Sequence, residues 1–248
     1  MKAKIGIDAG HGGSSSGTYS VNSVKDGLFE KDFALEQALL IEKNLLRNGF
    51  GVVLTRRTDK NPGNVSERAK TCIDENCDFA LSIHFNGFGS ESANGTEVFV
   101  PHSEKSAVIE SGFYKTLGEN FKIRAPFARS NSFFDRNKIF DKKLNTETKR
   151  FDAVSGEKDY FGFVRTCWEA GISADLLEIC FLTNPEDFKK YIENREKIAE
   201  NIAKDIVSAF GEEYIFEKAE DSSEEKPVAK PKITRKVRNS GSKRDVLN

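Results

Sequence analysis

The chain has 248 residues, with 38 Lys+Arg against 39 Asp+Glu and a formal net charge of −1. At 38% hydrophobic and 31% charged, it holds enough apolar material for one large domain or two small ones. No stretch approaches the roughly 18 uninterrupted apolar residues of a membrane span, and the lack of a basic excess disfavours a nucleic-acid partner.

Three histidines occur, His11, His84 and His102, so any imidazole site draws on these. The cysteines Cys72, Cys77, Cys167 and Cys180 form no CxxC pair and read as small buried hydrophobes of a reducing compartment. At the N-terminus, Met-Lys-Ala-Lys runs directly into Ile5-Gly6-Ile7-Asp8, where Asp8 interrupts any signal-peptide core. The expectation is synthesis in the cytoplasm without a signal peptide.

Residues 4–8 read as a short strand. Leu35, Leu39, Leu45 and Leu46 then give helical spacing up to Asn48-Gly49, a stop signal. A strand is expected over 52–55, a short helix over 65–76, and a clear strand over 79–85. In the last, Phe79, Leu81, Ile83 and Phe85 share one face, and Ala80, Ser82 and His84 the other. Such two-sided strands lie in sheets covered by helices on both faces. A strand over 97–100 and a helix over 104–120 follow. Residues 124–158 break this rhythm: Lys, Arg, Asp and Asn are interspersed with Phe127, Phe133, Phe134, Phe140 and Phe151, as in a partly packed insert. Order resumes over 160–165 and in a strand over 174–181. Asn184-Pro185-Glu186-Asp187 opens a last helix with Ile198, Ile202, Ile206 and Phe210 on one stripe. No internal repeat is present. The division is therefore a catalytic domain over 1–216 and a charged, disordered tail over 217–248. Within the tail, residues 226–244 carry eight Lys/Arg and no Asp/Glu, so the remainder of the chain is net acidic.

Alternating strands and helices imply an α/β fold with a twisted, mostly parallel sheet and helices on both faces. Ligands of such sheets bind beyond the carboxyl ends of the strands. There the sequence places His11 in Asp8-Ala9-Gly10-His11-Gly12-Gly13, His84 followed by Asn86, and Glu178 between Leu177 and Ile179. Glu30 falls between the glycine-rich loop and the first long helix. Two imidazoles and two carboxylates suit metal-assisted hydrolysis: catalytic zinc takes three ligands of the His₂Glu kind, and a further carboxylate moves the proton.

The segments 5–13, Leu54-Thr55-Arg56, Ser82-Ile83-His84-Phe85-Asn86 and 177–184 (Leu-Glu-Ile-Cys-Phe-Leu-Thr-Asn) together resemble a known family. It is the zinc-dependent N-acetylmuramoyl-L-alanine amidases, and the resemblance covers about residues 3–212. It implies cleavage of peptidoglycan between the muramic acid lactyl group and L-alanine. His11, Glu30 and His84 would bind Zn²⁺, Glu178 would be the catalytic carboxylate, and Asn86 would contact substrate. The long stretch 124–158 departs from the family, as does 170–173, where a proline is common.

A dinucleotide fold is disfavoured, because position 15 is Ser and residues 14–27 lack helical periodicity. The alternatives to an amidase are a carboxypeptidase-like zinc hydrolase of stem peptides and a non-catalytic peptidoglycan-binding module. A phage endolysin, released to the wall by a holin or at lysis, is favoured over an autolysin or a sporulation enzyme. The chain is expected to be a monomer, with its basic tail holding anionic wall polymers. His102 is expected at the surface, Glu97 as a structural carboxylate near the site, and Arg56 and Arg68 in structural ion pairs.

Overall fold

The computed structural model describes residues 2–22, 27–129, 139–152 and 158–216, with backbone alone over 125–129 and 139–141. The tail over 217–248 and Phe133 and Phe134 of the insert lie outside the described residues.

Seven strands form the main sheet in the order β2-β1-β3-β9-β4-β5-β6. β1 (Lys4–Ala9), β2 (Gly51–Leu54), β3 (Phe79–Asn86) and β9 (Ser173–Phe181) run parallel. β4 (Thr96–Phe99) pairs antiparallel with β9 and parallel with β5 (Ile123–Arg129), and β6 (Ile139–Asp141) closes the far edge antiparallel to β5. The fold is thus the expected α/β class, and both sheet faces are covered. α1 (Glu30–Arg47), α3 (Val108–Gly118) and α5 (Pro185–Ala209) pack one face, where the large core gathers. α2 (Val65–Asp74) and α4 (Gly162–Glu169) cover the other.

β3 shows why the sheet must be covered twice. Phe79, Leu81, Ile83 and Phe85 enter the large core, while Ala80 packs against Ala69, Cys72, Phe163 and Cys167 below α2 and α4. Each fully buried Leu, Ile or Phe contributes about 1.5–3 kcal/mol, so this strand anchors both layers. All four cysteines are free and buried, as expected. α5 begins as read, with Asn184 accepting the amides of Glu186 and Asp187 and proline in the first turn. Ile198, Ile202 and Ile206 are buried, but Phe210 caps the helix end and packs edge-on against Phe50.

α1 forms where the leucine spacing places a helix, with Leu45 of that set buried and Leu35 packed against the core. Its core face is Phe33, Ala34, Ala38, Ile41 and Leu45, and Leu46 is exposed. Gln37 sits within that buried face and accepts from the Tyr191 hydroxyl at 3.2 Å, so a polar residue interrupts the apolar period. α3 starts at Val108 rather than near 104 because residues 104–107 hold the insert. The Glu104 side chain accepts the amides of Lys105 and Ser106, and Ala107 donates its amide to Lys149.

The described part of the insert includes a hairpin of β7 (Leu144–Asn145) and β8 (Arg150–Phe151), and Phe151 enters the core. Lys142 is buried with Nζ donating to the carbonyls of Pro101 (3.0 Å), His102 (2.8 Å) and Glu104 (2.5 Å). Burial pushes its pKa down, and the nearby Glu104, Asp159, Glu110 and Asp175 oppose that shift. His102, expected at the surface, is instead 4% exposed beneath this cover, its amide donating to Asp159 at 2.8 Å. The cover comes from residues some forty positions further along the chain, beyond the reach of a local pattern.

Candidate metal centre

β1 and β3 are adjacent and parallel, so the residues that follow each emerge at the same sheet edge. Gly10 lies between them: a Cβ there would meet Ile83 O and the His84 ring at 2.6 Å, so only glycine lets the two strand ends approach. His11 follows with φ of 60°, a left-handed turn that brings its imidazole over the edge. The His11 and His84 rings stand edge to face, 4.9 Å between centroids. Between them, at the first turn of α1, lies Glu30.

Glu30 is 4% exposed, and its Oε1 is a shared acceptor. His84 Nδ1 lies 2.9 Å from it, His11 Nε2 3.1 Å, and the amide of Phe85 donates to it at 3.0 Å. Oε2 accepts the amide of Thr18 at 2.8 Å. Burial alone would push this carboxyl up, but the two imidazoles outweigh burial and hold it well below the usual carboxylate range. Ser15 Oγ lies 3.0 Å from His11 Nδ1 and so orients the ring through its other nitrogen.

One ligand atom from each of His11, Glu30 and His84 lies within 4.8 Å of the others. Tetrahedral zinc with bonds of about 2.0–2.2 Å needs three such donors about 3.5 Å apart, leaving a fourth position open. The donor chemistry and the spacing both fit. Among the described residues this is the cluster that can hold a metal ion.

Glu178 is the register partner of His84 on β9, and Glu97 on β4 is the register partner of Glu178. A bulge between His84 and Asn86 breaks the β3–β9 register, so Asn86 pairs instead with Phe181. Asn86 Nδ2 then donates to Glu97 Oε2 at 2.6 Å. Asn86, Glu97 and Glu178 line one cavity of about 370 Å³, together with Arg124. A larger cavity of about 730 Å³ opens on the His11 and His84 side, lined by Asn61, Asn64 and Tyr160. Phe161 lines both. All five residues singled out from the sequence thus gather at one sheet edge, with Glu97 beside them.

The supports below the site are partly those expected. Arg68 pairs with Asp8, its Nη1 2.9 Å from each carboxylate oxygen. Thr55 and Ser82 donate to the same carboxylate at 2.8 and 2.7 Å, so both of its buried oxygens accept from the guanidinium and from a hydroxyl. Arg56 departs from expectation. Its guanidinium donates to four backbone carbonyls instead: Ala9 (2.9 Å), Gly10 (2.8 Å), Lys31 (2.6 Å) and Thr58 (3.2 Å). It therefore ties the His11 loop to the helix start that carries Glu30, and burial lowers its pKa. Lys31 adds a second tie, from Nζ to Gly13 O at 2.9 Å and to Asp59 at 2.7 Å. Arg124 and Phe161 escaped the sequence reading, because neither carries a local signature of a site.

A family model described as N-acetylmuramoyl-L-alanine amidase matches residues 5–208. The uncharacterized protein YqiI of Bacillus subtilis is 31% identical over 131 residues, 52% of this chain and 60% of that protein. The probable cell wall amidase LytH of Staphylococcus aureus is 34% identical over 107 residues, 43% of this chain and 34% of that protein. The chain thus spans less than two thirds of either relative's length. The catalytic domain of CwlV, an N-acetylmuramoyl-L-alanine amidase from Bacillus (Paenibacillus) polymyxa, superimposes with a TM-score of 0.59 at 26% identity, covering 86% of this chain and 100% of that domain. With its family model matched over most of its length and its fold shared with that catalytic domain, the chain belongs to the N-acetylmuramoyl-L-alanine amidase family.

Proposed function

We propose that the chain is a zinc-dependent peptidoglycan hydrolase that cleaves the amide between the lactyl group of N-acetylmuramic acid and L-alanine. The observation that carries this reading is Glu178 standing in register beside His84, one strand from the His11–Glu30–His84 cluster. Zinc, when bound, supplies Lewis-acid polarisation of the amide carbonyl and a more acidic water. Glu178 accepts the proton of the attacking water and returns it to the departing amine of L-alanine. Glu30 stays ionised between the two imidazoles, which suits a ligand rather than a proton carrier. Asn86, fixed by Glu97, presents its amide to the peptide limb, and the larger cavity seats the amino sugar against Asn61, Asn64 and Tyr160.

Lysis of purified peptidoglycan, followed by product mass, tests the reading. A chelator should stop solubilisation and added zinc restore it, with free N-terminal L-alanine as the new end. A new end within the stem would point to the carboxypeptidase-like alternative, and binding without any cleavage to a non-catalytic module. Among the described residues no helix is long and apolar enough to cross a membrane. The basic run at 226–244 would hold the catalytic unit on anionic wall polymers. Removing residues 222–248 should weaken wall adsorption at low salt, and unchanged adsorption would refute that role.

A further inference from the structure

The smaller cavity contains a cation that the proposed hydrolysis does not use. His84 on β3, Glu178 on β9 and Glu97 on β4 are successive register partners, and β5 lies next with Arg124 following Ile123, the partner of Thr96. Strands are about 4.8 Å apart, so this row leads from the metal cluster past Glu178 to Arg124. Arg124 is held in place on two sides. Its Nε donates to Glu97 Oε1 at 2.6 Å, and its guanidinium carbon lies 5.3 Å from the centre of the Phe181 ring. Glu97 is itself committed, because its other oxygen accepts from Asn86. A guanidinium has five donors in a rigid fork. Glu97 takes one, and Nη1 makes a long contact of 3.5 Å to Asn94 O. The fork therefore retains donors for a ligand in the cavity that Arg124 lines.

We propose that Arg124 binds the free α-carboxylate of the second stem residue, so that the enzyme favours stems carrying γ-linked D-glutamate over those carrying its α-carboxamide. The proposal rests on the amidase reading above. Chain geometry supports it: an extended residue advances about 3.3–3.6 Å, which puts a carboxylate on the residue after L-alanine about 5–7 Å from the scissile nitrogen. Arg124 stands two strands from Glu178, about 10 Å at the backbone, but its guanidinium reaches back to Glu97 on the strand between, which shortens that gap toward the length of the peptide step. The carboxylate would meet a preorganised planar cation with matching fork geometry, whereas a carboxamide brings donors of its own and no charge.

The test uses the full chain and two synthetic substrates, N-acetylmuramoyl-L-alanyl-γ-D-glutamyl-L-lysine and its D-isoglutamine counterpart. The unaltered chain should favour the acid by about tenfold to a hundredfold in kcat/KM, mostly through KM, as expected for one charge-assisted pair. Arg124→Leu should bring the ratio to about one, and Arg124→Lys should keep part of it. A ratio near one in the unaltered chain, or one unmoved by Arg124→Leu, overturns the proposal. Calorimetry with the two free tripeptides, L-Ala-γ-D-Glu-L-Lys and its amide, reads the same preference without turnover. Equal Kd values for the two peptides overturn it even if both substrates are cleaved. Unequal Kd values without cleavage would uphold Arg124 and refute the amidase reading instead.

Discussion

Glu178 faces His84 across the parallel β3–β9 pair, while His84 shares the Glu30 carboxylate with His11. One carboxylate is thus locked among donors and the other stands next to the cluster, lining a cavity. That division predicts separable losses. Glu178→Gln should keep wild-type zinc content while kcat falls by about 10²–10⁴, the usual weight of a general acid–base group. His84→Ala should lose the metal as well as activity. Metal analysis beside product release decides this, and full turnover by Glu178→Gln would refute its role.

Arg56 joins the His11 loop to the start of α1 through the carbonyls of Ala9, Gly10 and Lys31, and hydrogen-bonds to none of the three candidate ligand side chains. As a positioning residue, its loss should let His11 and Glu30 drift apart. Arg56→Met is expected to weaken zinc binding by about 10–100-fold, the range seen for groups that orient metal ligands. Arg56→Lys should recover little, since one ammonium cannot span these carbonyls. Competition for zinc with a chelating dye measures the change, and wild-type affinity in Arg56→Met would remove the assignment.

Much of this arrangement could be read from the chain itself, and what escaped has a common cause. β3 was legible because its two faces alternate between large apolar side chains and Ala80, Ser82 and His84. The start of α5 was legible because Asn184-Pro185 is a local signal. His11, His84 and Glu178 were legible because parallel strands place their carboxyl ends together. By contrast, the buried Gln37 on the core face of α1 has no local signature, because its partner Tyr191 lies 154 positions away. His102 departs from its expected place at the surface because its cover, Lys142, comes from the insert forty positions further along. The Arg56 ties and the Arg124–Glu97 pair likewise depend on partners that only the tertiary fold brings near.

The Asp8–Arg68 pair lies beneath the site, with Thr55 and Ser82 completing the shell of the carboxylate. Breaking it from one side leaves a buried charge. Arg68→Met should therefore cost about 3–5 kcal/mol in urea unfolding. Adding Asp8→Asn should recover a large part of that loss, because the amide carries no charge: its oxygen accepts from one of the Thr55 and Ser82 hydroxyls and its NH2 donates to the other. Equal stability of the single and double variants would contradict this account.

Asp205 on α5 accepts from Thr116 Oγ1 of α3 at 2.6 Å, where the two helices meet against Gly112. Burial pushes its carboxyl from 3.8 up to about 6, against the opposing effect of the Thr116 hydrogen bond. Because the folded value lies above the unfolded one, protonation stabilises the fold. That stability is complete below about pH 4 and is lost as pH rises through about 6. Asp205→Asn mimics the protonated group, so it should change little at pH 4 and raise stability at pH 7.5. The site is partly exposed, which limits the gain to about 1 kcal/mol, or roughly 2–4 °C in Tm for a domain of this size. Thermal melts of the variant and wild type at pH 4, 6 and 7.5 should show a difference that grows with pH. A constant offset would mean that Asp205 is not charged against a burial cost at neutral pH.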